Sequence, residues 1–243
     1  MKKVTAAAVA LVALGAASAM AQVGNSNIIN SKHNLNGIDA GSFGSNAQAN
    51  NQICIYCHTP HNARMSVPIW NRNGKAASVY TLYSSVTMLN SKHATGFTPD
   101  SISLFCMSCH DGSVLGGTMI FNQSAATKFY GSVLPQGDTT ISGNANLTTN
   151  LSTTHPINFV ASKNLNDATN NPQKRNDGKP DLNFKDVDNM GVPGGKSFPL
   201  FVSEGQRGYL ECSSCHSVHD DYYRPFLRDT MDKSQLCLGC HNK

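Results

Sequence analysis

All eight cysteines of the 243-residue chain lie in four Cys-x-x-Cys pairs, and each pair is followed at once by a histidine. This pattern restricts the fold more than any other feature, because two thiols and an imidazole must come to one face of a short turn. Residues i, i+3 and i+4 share a face in a helical turn. The four copies are Cys54-Cys57-His58, Cys106-Cys109-His110, Cys212-Cys215-His216 and Cys237-Cys240-His241.

The pattern is the attachment signature of c-type haem. The two thiols form thioethers to the two vinyl groups of one porphyrin, and the histidine reaches the iron as its proximal ligand. Zinc and disulfide bonds are the alternatives for paired cysteines, but neither requires a histidine after every pair. The sequence therefore predicts four covalently attached haem c groups, with proximal ligands His58, His110, His216 and His241.

Five further histidines are available for the sixth coordination position of the four irons. The first motif of each half carries an extra histidine, in CIYCHTPH and CSSCHSVH, and each half has an upstream histidine, in SKHNL and TTHPINF. Because the proximal histidine occupies one face of its haem, a residue three positions later cannot easily reach the opposite face. We therefore expect His61 and His219 to ligate other haems. The expected distal ligands are His33, His61, His155 and His219, with His93 as a further candidate.

If every iron has two histidine ligands, no iron is open to substrate and the reduction potentials are low. The chain is then predicted to be an electron-transfer protein and not an enzyme. Methionine is the alternative sixth ligand, but the surplus of histidines favours packing roles for the methionines. A multihaem reductase is a weaker alternative, because it needs an open iron site and all four motifs follow the full CXXCH pattern.

The first 21 residues have the features of a secretory signal peptide, since Lys2 and Lys3 precede an apolar run and small residues that end at Ala21. The apolar run is too short to span a bilayer. Removing the two lysines from the 19 basic residues leaves 17 against 15 acidic residues, which gives no reason to expect nucleic-acid binding. We expect a secreted protein without a membrane span, extracellular or on the outer cell surface, with the periplasm as the alternative.

The motifs divide the mature chain into two dihaem halves, 22–135 and 191–243, with a polar, loop-rich segment at 136–190 that contributes His155 to the second half. The sequence INFV predicts a short strand. The stretch 66–89, which contains the only tryptophan, is expected to pack in the core. We expect a mostly irregular fold with short helices at the haem motifs and a few short strands. Haems would replace much of the hydrophobic core.

The combination of SKHNL, CHTPHN, CMSCHDG and THPINF resembles the doubled-CXXCH multihaem cytochromes of metal-reducing bacteria, and more narrowly the OmcE type of tetrahaem outer-surface cytochrome. The resemblance implies a line of stacked haems in a head-to-tail filament of identical subunits, because a head-to-tail contact that does not close generates a fibre. It also implies that the position of His61 donates an axial ligand across the subunit interface. Other cytochromes and extracellular electron acceptors are the implied partners, and a discrete periplasmic or surface electron carrier is the alternative.

Overall fold

The regular elements of the protein are short, and most of the described chain is irregular. A computed structural model describes residues 28, 31–34, 53–60, 63, 68–85, 96–114, 140–161, 191–192 and 196–241. In these ranges the helices are α1 (Ser103–His110), α2 (Cys212–Cys215) and α3 (Gln235–Leu238), and the first motif begins in a 3-10 turn at Ile53–Tyr56. The prediction of a mostly irregular fold with short helices and a few short strands is confirmed for these residues.

Seven short strands form three small sheets in the described part of the chain. The strands are β1 (Thr81–Leu82), β2 (Asn150–Leu151), β3 (Phe159–Val160), β4 (Gly191–Val192), β5 (Lys196–Ser197), β6 (Phe201–Ser203) and β7 (Gln206–Leu210). β1 and β2 are parallel, β4 and β5 are antiparallel, and β3, β7 and β6 form an antiparallel sheet in that order.

The three-stranded sheet is built on a tight hairpin between β6 and β7. Ser203 pairs with Gln206, so the loop contains only Glu204 and Gly205, and both have positive φ, 49° and 72°. Positive φ at both loop positions gives a backbone twist that matches the twist of the flanking strands. β3 joins the sheet from the predicted INFV stretch, so that strand prediction is confirmed.

Helix α1 divides its surface between the core and the second motif. Leu104 and Met107 are buried, whereas Cys106, Cys109 and His110 remain partly exposed. The two sets alternate at helical spacing, so core packing holds the motif in place while leaving its thiols and imidazole accessible. The apolar core around this helix consists of Tyr80, Leu82, Phe97, Leu104, Met107 and Leu151. The core role predicted for the stretch 66–89 is therefore confirmed for Tyr80 and Leu82. It is not confirmed for Ile69 and Val79, which are exposed, and Trp70 is only half-buried.

Buried polar contacts join residues from both predicted halves and from the segment between them. Thr98 Oγ1 donates a 3.0 Å hydrogen bond to the amide oxygen of Asn158, and its hydroxyl also contacts the hydroxyl of Ser203. All three side chains are almost inaccessible to solvent. The predicted segment boundaries stay a prediction, but these contacts show that the described parts of the three segments pack together. No helix in the described ranges has the length and apolar character needed to cross a bilayer.

Candidate functional site

Each described CXXCH turn is closed in the same way, by a hydrogen bond from the histidine N–H to the carbonyl of the first cysteine. The N···O distances are 2.8 Å for His58, 3.1 Å for His216 and 2.9 Å for His241, and the second motif lies inside α1. A bond from residue i+4 to residue i is the α-helical turn, which places both thiols and the imidazole on one side. The spacing argument made from the sequence therefore describes the local backbone correctly.

Three motif histidines are oriented by backbone carbonyls. Their Nδ1 atoms lie 2.7 Å from the Pro68 oxygen (His58), 2.7 Å from the Ala145 oxygen (His110) and 3.1 Å from the Pro225 oxygen (His216). Since a carbonyl can only accept, Nδ1 must carry a proton in each ring, which leaves Nε2 as the nitrogen that can bind a metal. This is the tautomer that a metal-binding histidine needs.

Two other histidines named as distal ligands have the same kind of hydrogen bond. Nδ1 of His33 lies 3.2 Å from the Val218 oxygen, and Nδ1 of His155 lies 2.9 Å from the Pro156 oxygen. Burial lowers the pKa of His33 and of the motif histidine His216 below the ordinary value of 6.5. These two imidazoles are therefore neutral at pH 7, as a metal ligand must be.

Three pairs of imidazoles lie side by side with nearly the same distance between their ring centres, and their ring planes are inclined by 37° to 71°. The ring centres of His58 and His219 are 6.2 Å apart, those of His33 and His110 are 6.2 Å apart, and those of His155 and His241 are 6.3 Å apart. An imidazole nitrogen binds a first-row metal at about 2 Å, and adding a ring radius of about 1 Å on each side gives roughly 6 Å between the ring centres. The spacing therefore fits one iron held between two imidazoles.

Each pair joins one motif histidine to one histidine from elsewhere in the chain. His219 faces the motif histidine of the other half and not its own neighbour His216. Two residues named from the sequence, His61 and His93, lie outside the described residues. In the structure, three of the expected distal ligands therefore lie beside a motif histidine: His33, His155 and His219.

The cysteines of consecutive motifs lie close to one another. Burial raises the pKa of Cys57 to about 12, with a further contribution from Cys109, and burial raises the pKa of Cys215 to about 11, with a contribution from Cys240. A hydrogen bond between the Cys106 and Cys212 thiols raises the pKa of the first thiol and lowers that of the second. Each motif thus lies next to the motif that follows it in the sequence.

A short segment that the sequence reasoning missed supports the first motif. The N–H of Thr59 donates to the carbonyl of Ile69 at 2.9 Å, and the N–H of Asn71 donates to the carbonyl of Cys57 at 2.8 Å. Pro68 supplies the carbonyl that accepts from the motif histidine. We call residues 68–72 the first anchor segment, because its backbone fixes both the turn and the imidazole.

The second half repeats this arrangement around the third motif. The N–H of Ser217 donates to the carbonyl of Phe226 at 2.7 Å, and the N–H of Arg228 donates to the carbonyl of Cys215 at 2.9 Å. Phe226 has φ 59°, and its counterpart Ile69 has φ 55°. We call residues 225–229 the second anchor segment. The shared triplet of proline and two apolar residues, PIW and PFL, is the sequence signal that could have identified both segments.

Several charged side chains close to the motifs are almost completely buried, and the sequence did not single out the three that matter most for the site. Arg72 ends the first anchor segment at 1% exposure, Asp229 ends the second at 5%, and Glu211, which directly precedes Cys212, is at 0%. The Glu211 carboxylate accepts a 2.8 Å hydrogen bond from the Ser101 hydroxyl and another from Ser103. Burial raises its pKa to about 7, so near neutral pH the carboxyl group exists in both protonation states.

Comparison with known proteins identifies the class of the C-terminal site. Residues 202–243, which contain the third and fourth motifs, match the family described as the doubled CXXCH motif. No curated protein matches the chain. The match indicates covalently bound haem c and is consistent with a multihaem c-type cytochrome, a haem-binding class that usually transfers electrons.

Replacing Glu211 with glutamine should remove a pH dependence of stability. Burial raises the pKa of Glu211 in the folded protein from the ordinary 4.5 to about 7, so its contribution is fully present below pH 4.5 and is lost as the pH rises through 7. We expect the unfolding free energy of the wild type to fall by up to about 3 kcal/mol between pH 5 and pH 8 for this reason. Glu211→Gln should lack this fall. Urea titrations between pH 5 and pH 8, followed by Trp70 fluorescence, measure the free energy of unfolding.

The control is Asp232→Asn, because Asp232 is an exposed carboxylate. This variant should keep the pH dependence of the wild type. If Glu211→Gln also kept it, another group would be responsible and the role assigned to burial of Glu211 would be wrong.

Proposed function

We propose that the chain is a tetrahaem c-type cytochrome that carries electrons along stacked bis-histidine haems and polymerises into extracellular filaments. The observation that carries the proposal is the set of three imidazole pairs with ring centres 6.2 to 6.3 Å apart, each containing one motif histidine. A second imidazole on every iron leaves no coordination position for a substrate. Electron transfer is therefore the proposed role, and an enzymatic role is not proposed.

In this proposal, each haem is attached through the two cysteines of its motif and held by the motif histidine on one face. The distal ligands follow from the pairs: His219 serves the haem of the first motif, His33 that of the second, and His155 that of the fourth. When bound, haem supplies a one-electron Fe(III)/Fe(II) couple. The chain would hold each iron between two imidazoles. Five of these imidazoles are oriented by Nδ1 hydrogen bonds, and the motifs lie close together in sequence order.

The distal ligand for His216 follows by elimination. The chain has nine histidines, and the three pairs use six of them. With His216 itself set aside, only His61 and His93 remain. We assign the position to His61, because it occupies in the first half the place that His219 occupies in the second, three residues after a motif histidine.

The filament part of the proposal follows from the same assignment. If His61 reaches the iron held by His216 in a neighbouring subunit, each subunit completes one haem of the next. Such a contact is head-to-tail and repeats without closing, so the product is a fibre. The proposed partners are other copies of this chain, other cytochromes and extracellular electron acceptors, and the proposed location is the outside of the cell. A discrete electron carrier would have the same haem chemistry without this contact.

Replacing His219 with alanine should open one identified iron. All four haems should stay attached, because every cysteine remains, but the first-motif haem should lose its distal ligand. We expect the reduced wild type to show no spectral change with carbon monoxide, and reduced His219→Ala to bind about one carbon monoxide per chain. Carbon monoxide titration by absorbance measures both. Strong binding by the wild type would favour the reductase alternative.

Two further variants, each built on His219→Ala, show which haem has lost its distal ligand. Adding Cys54→Ser and Cys57→Ser removes the first-motif haem and should abolish the carbon monoxide binding of His219→Ala. Adding Cys237→Ser and Cys240→Ser removes the fourth-motif haem and should leave that binding intact. The reverse result would mean that His219 serves a different haem.

Replacing His61 with alanine should prevent polymerisation without loss of attached haem. We expect filaments in electron micrographs of sheared wild-type surface material, and only globular particles that contain four haems from His61→Ala. His93→Ala is the control and should form filaments. Intact filaments of His61→Ala would refute its role between subunits, and globular wild-type particles would support the discrete carrier instead.

A further inference from the structure

The two anchor segments have the same backbone arrangement but end in opposite charges. Arg72 and Asp229 occupy the fifth position of their segments, four residues after Pro68 and Pro225, and both are at least 95% buried. The hydrogen bonds that tie each segment to its motif are the same, so the two charges take equivalent places in the two halves. A repeated structure with a reversed buried charge gives its two halves different electrostatic environments.

Arg72 lies where the first and second motifs meet. Its Nη1 donates a 3.3 Å hydrogen bond to the carbonyl of Tyr56, between the two cysteines of the first motif. Its guanidinium also hydrogen-bonds Cys109 of the second motif, and its positive charge opposes the effect of burial, which raises the pKa of that thiol. One buried cation thus contacts two adjacent attachment sites.

The second half has an acidic side chain at the equivalent place. Oδ1 of Asp229 accepts a 2.8 Å hydrogen bond from the N–H of Thr230, and Oδ2 has no hydrogen-bond partner among the described residues. The neighbouring Arg228 is less buried, and its Nε donates to the carbonyl of Ser213. The other buried carboxylate near the first two motifs, Asp111, has Lys75 at 3.3 Å, which offsets its charge.

The second half also contains the buried Glu211 carboxyl group, which accepts hydrogen bonds from two serine hydroxyls. Its buried Asp221 has Arg224 at 3.4 Å, and the charge of Arg228 lies close to Cys215. Arg72 and Asp229 are the buried charges that reverse sign between equivalent positions of the two halves.

We propose that Arg72 and Asp229 set a difference in reduction potential between the two halves of the haem array, with the first pair higher. This inference rests on the proposed electron-transfer function. A cation stabilises the added electron and an anion opposes it. A unit charge about 10 Å from an iron, at an effective dielectric constant of about 20, changes the reduction equilibrium constant by roughly tenfold. Electrons on a partly reduced subunit would thus collect in the first half.

The test is a potentiometric titration of the purified holoprotein, with dithionite as reductant and ferricyanide as oxidant. Each iron gains or loses one electron, and no covalent bond forms or breaks. Arg72→Met should lower the highest-potential steps by about tenfold in equilibrium constant, which is about 59 mV for a one-electron couple. Asp229→Asn should raise the lowest-potential steps by a similar amount. Each variant alone should therefore narrow the range of potentials over which the four haems are reduced.

Two controls separate charge from structure. Arg72→Lys keeps the charge and should retain the wild-type potentials. Arg207→Met removes an exposed cation of β7 and should also leave them unchanged. Unchanged potentials in Arg72→Met, with four haems attached, would overturn the inference but not the proposed function. If Arg72→Met does not incorporate haem, the test rests on Asp229→Asn. If the lowest-potential steps of Asp229→Asn do not rise, the inference is overturned. A wild type without haem would instead overturn the proposed function.

Discussion

The hydrogen bond between an imidazole Nδ1 and a backbone carbonyl is the interaction on which the site depends. It fixes the tautomer, because the carbonyl can only accept, and it fixes the direction of Nε2, because the ring cannot turn without breaking it. For His58 and His216 the carbonyl belongs to a proline in an anchor segment. The left-handed residue after each proline and the backbone bonds back to the motif keep that carbonyl in place. The local structure around each of these motifs thus fixes the direction of one atom, Nε2 of the motif histidine.

This arrangement comes with little apolar core. The described residues bury 14 apolar side chains but also 15 polar or charged ones, and the largest apolar cluster contains six residues. A polar group needs a partner when it is buried, so much of the interior is organised by hydrogen bonds such as those of Asn158 and Glu211. Seven of the eight cysteines are neither fully buried nor fully exposed, and the eighth is exposed. Attached porphyrins would cover these partly exposed thiols and would add apolar contacts to the small apolar core of the described residues.

The sequence was sufficient for the parts of this picture that depend on local spacing. The CXXCH turns and the short strand at INFV follow from patterns within a few residues, and the structure has both. The core role predicted for the stretch 66–89 is found at two of its residues, Tyr80 and Leu82. The choice of partner for each imidazole depends instead on the path of the chain between the halves, which local patterns do not encode. The anchor segments were missed because the triplets PIW and PFL become a signal only when the sequences that follow the first and third motifs are compared with each other. The buried charge at their ends became visible only when the two halves could be compared in space.

The histidine pairs also connect parts of the chain that are far apart in sequence. The thiols and the proximal histidine of a motif come from five consecutive residues, so haem attachment needs only a local turn. The distal ligands come from elsewhere, and His219, which faces His58, lies between the third and fourth motifs. The entropic cost of closing a loop grows only slowly with its length, so an iron shared by such a pair would close a very long loop at little more cost than a short one. In the proposed holoprotein, the first haem therefore gains its sixth ligand only after the second half has folded against the first. Complete ligation of the array is then a property of the folded chain and not of the separate motifs.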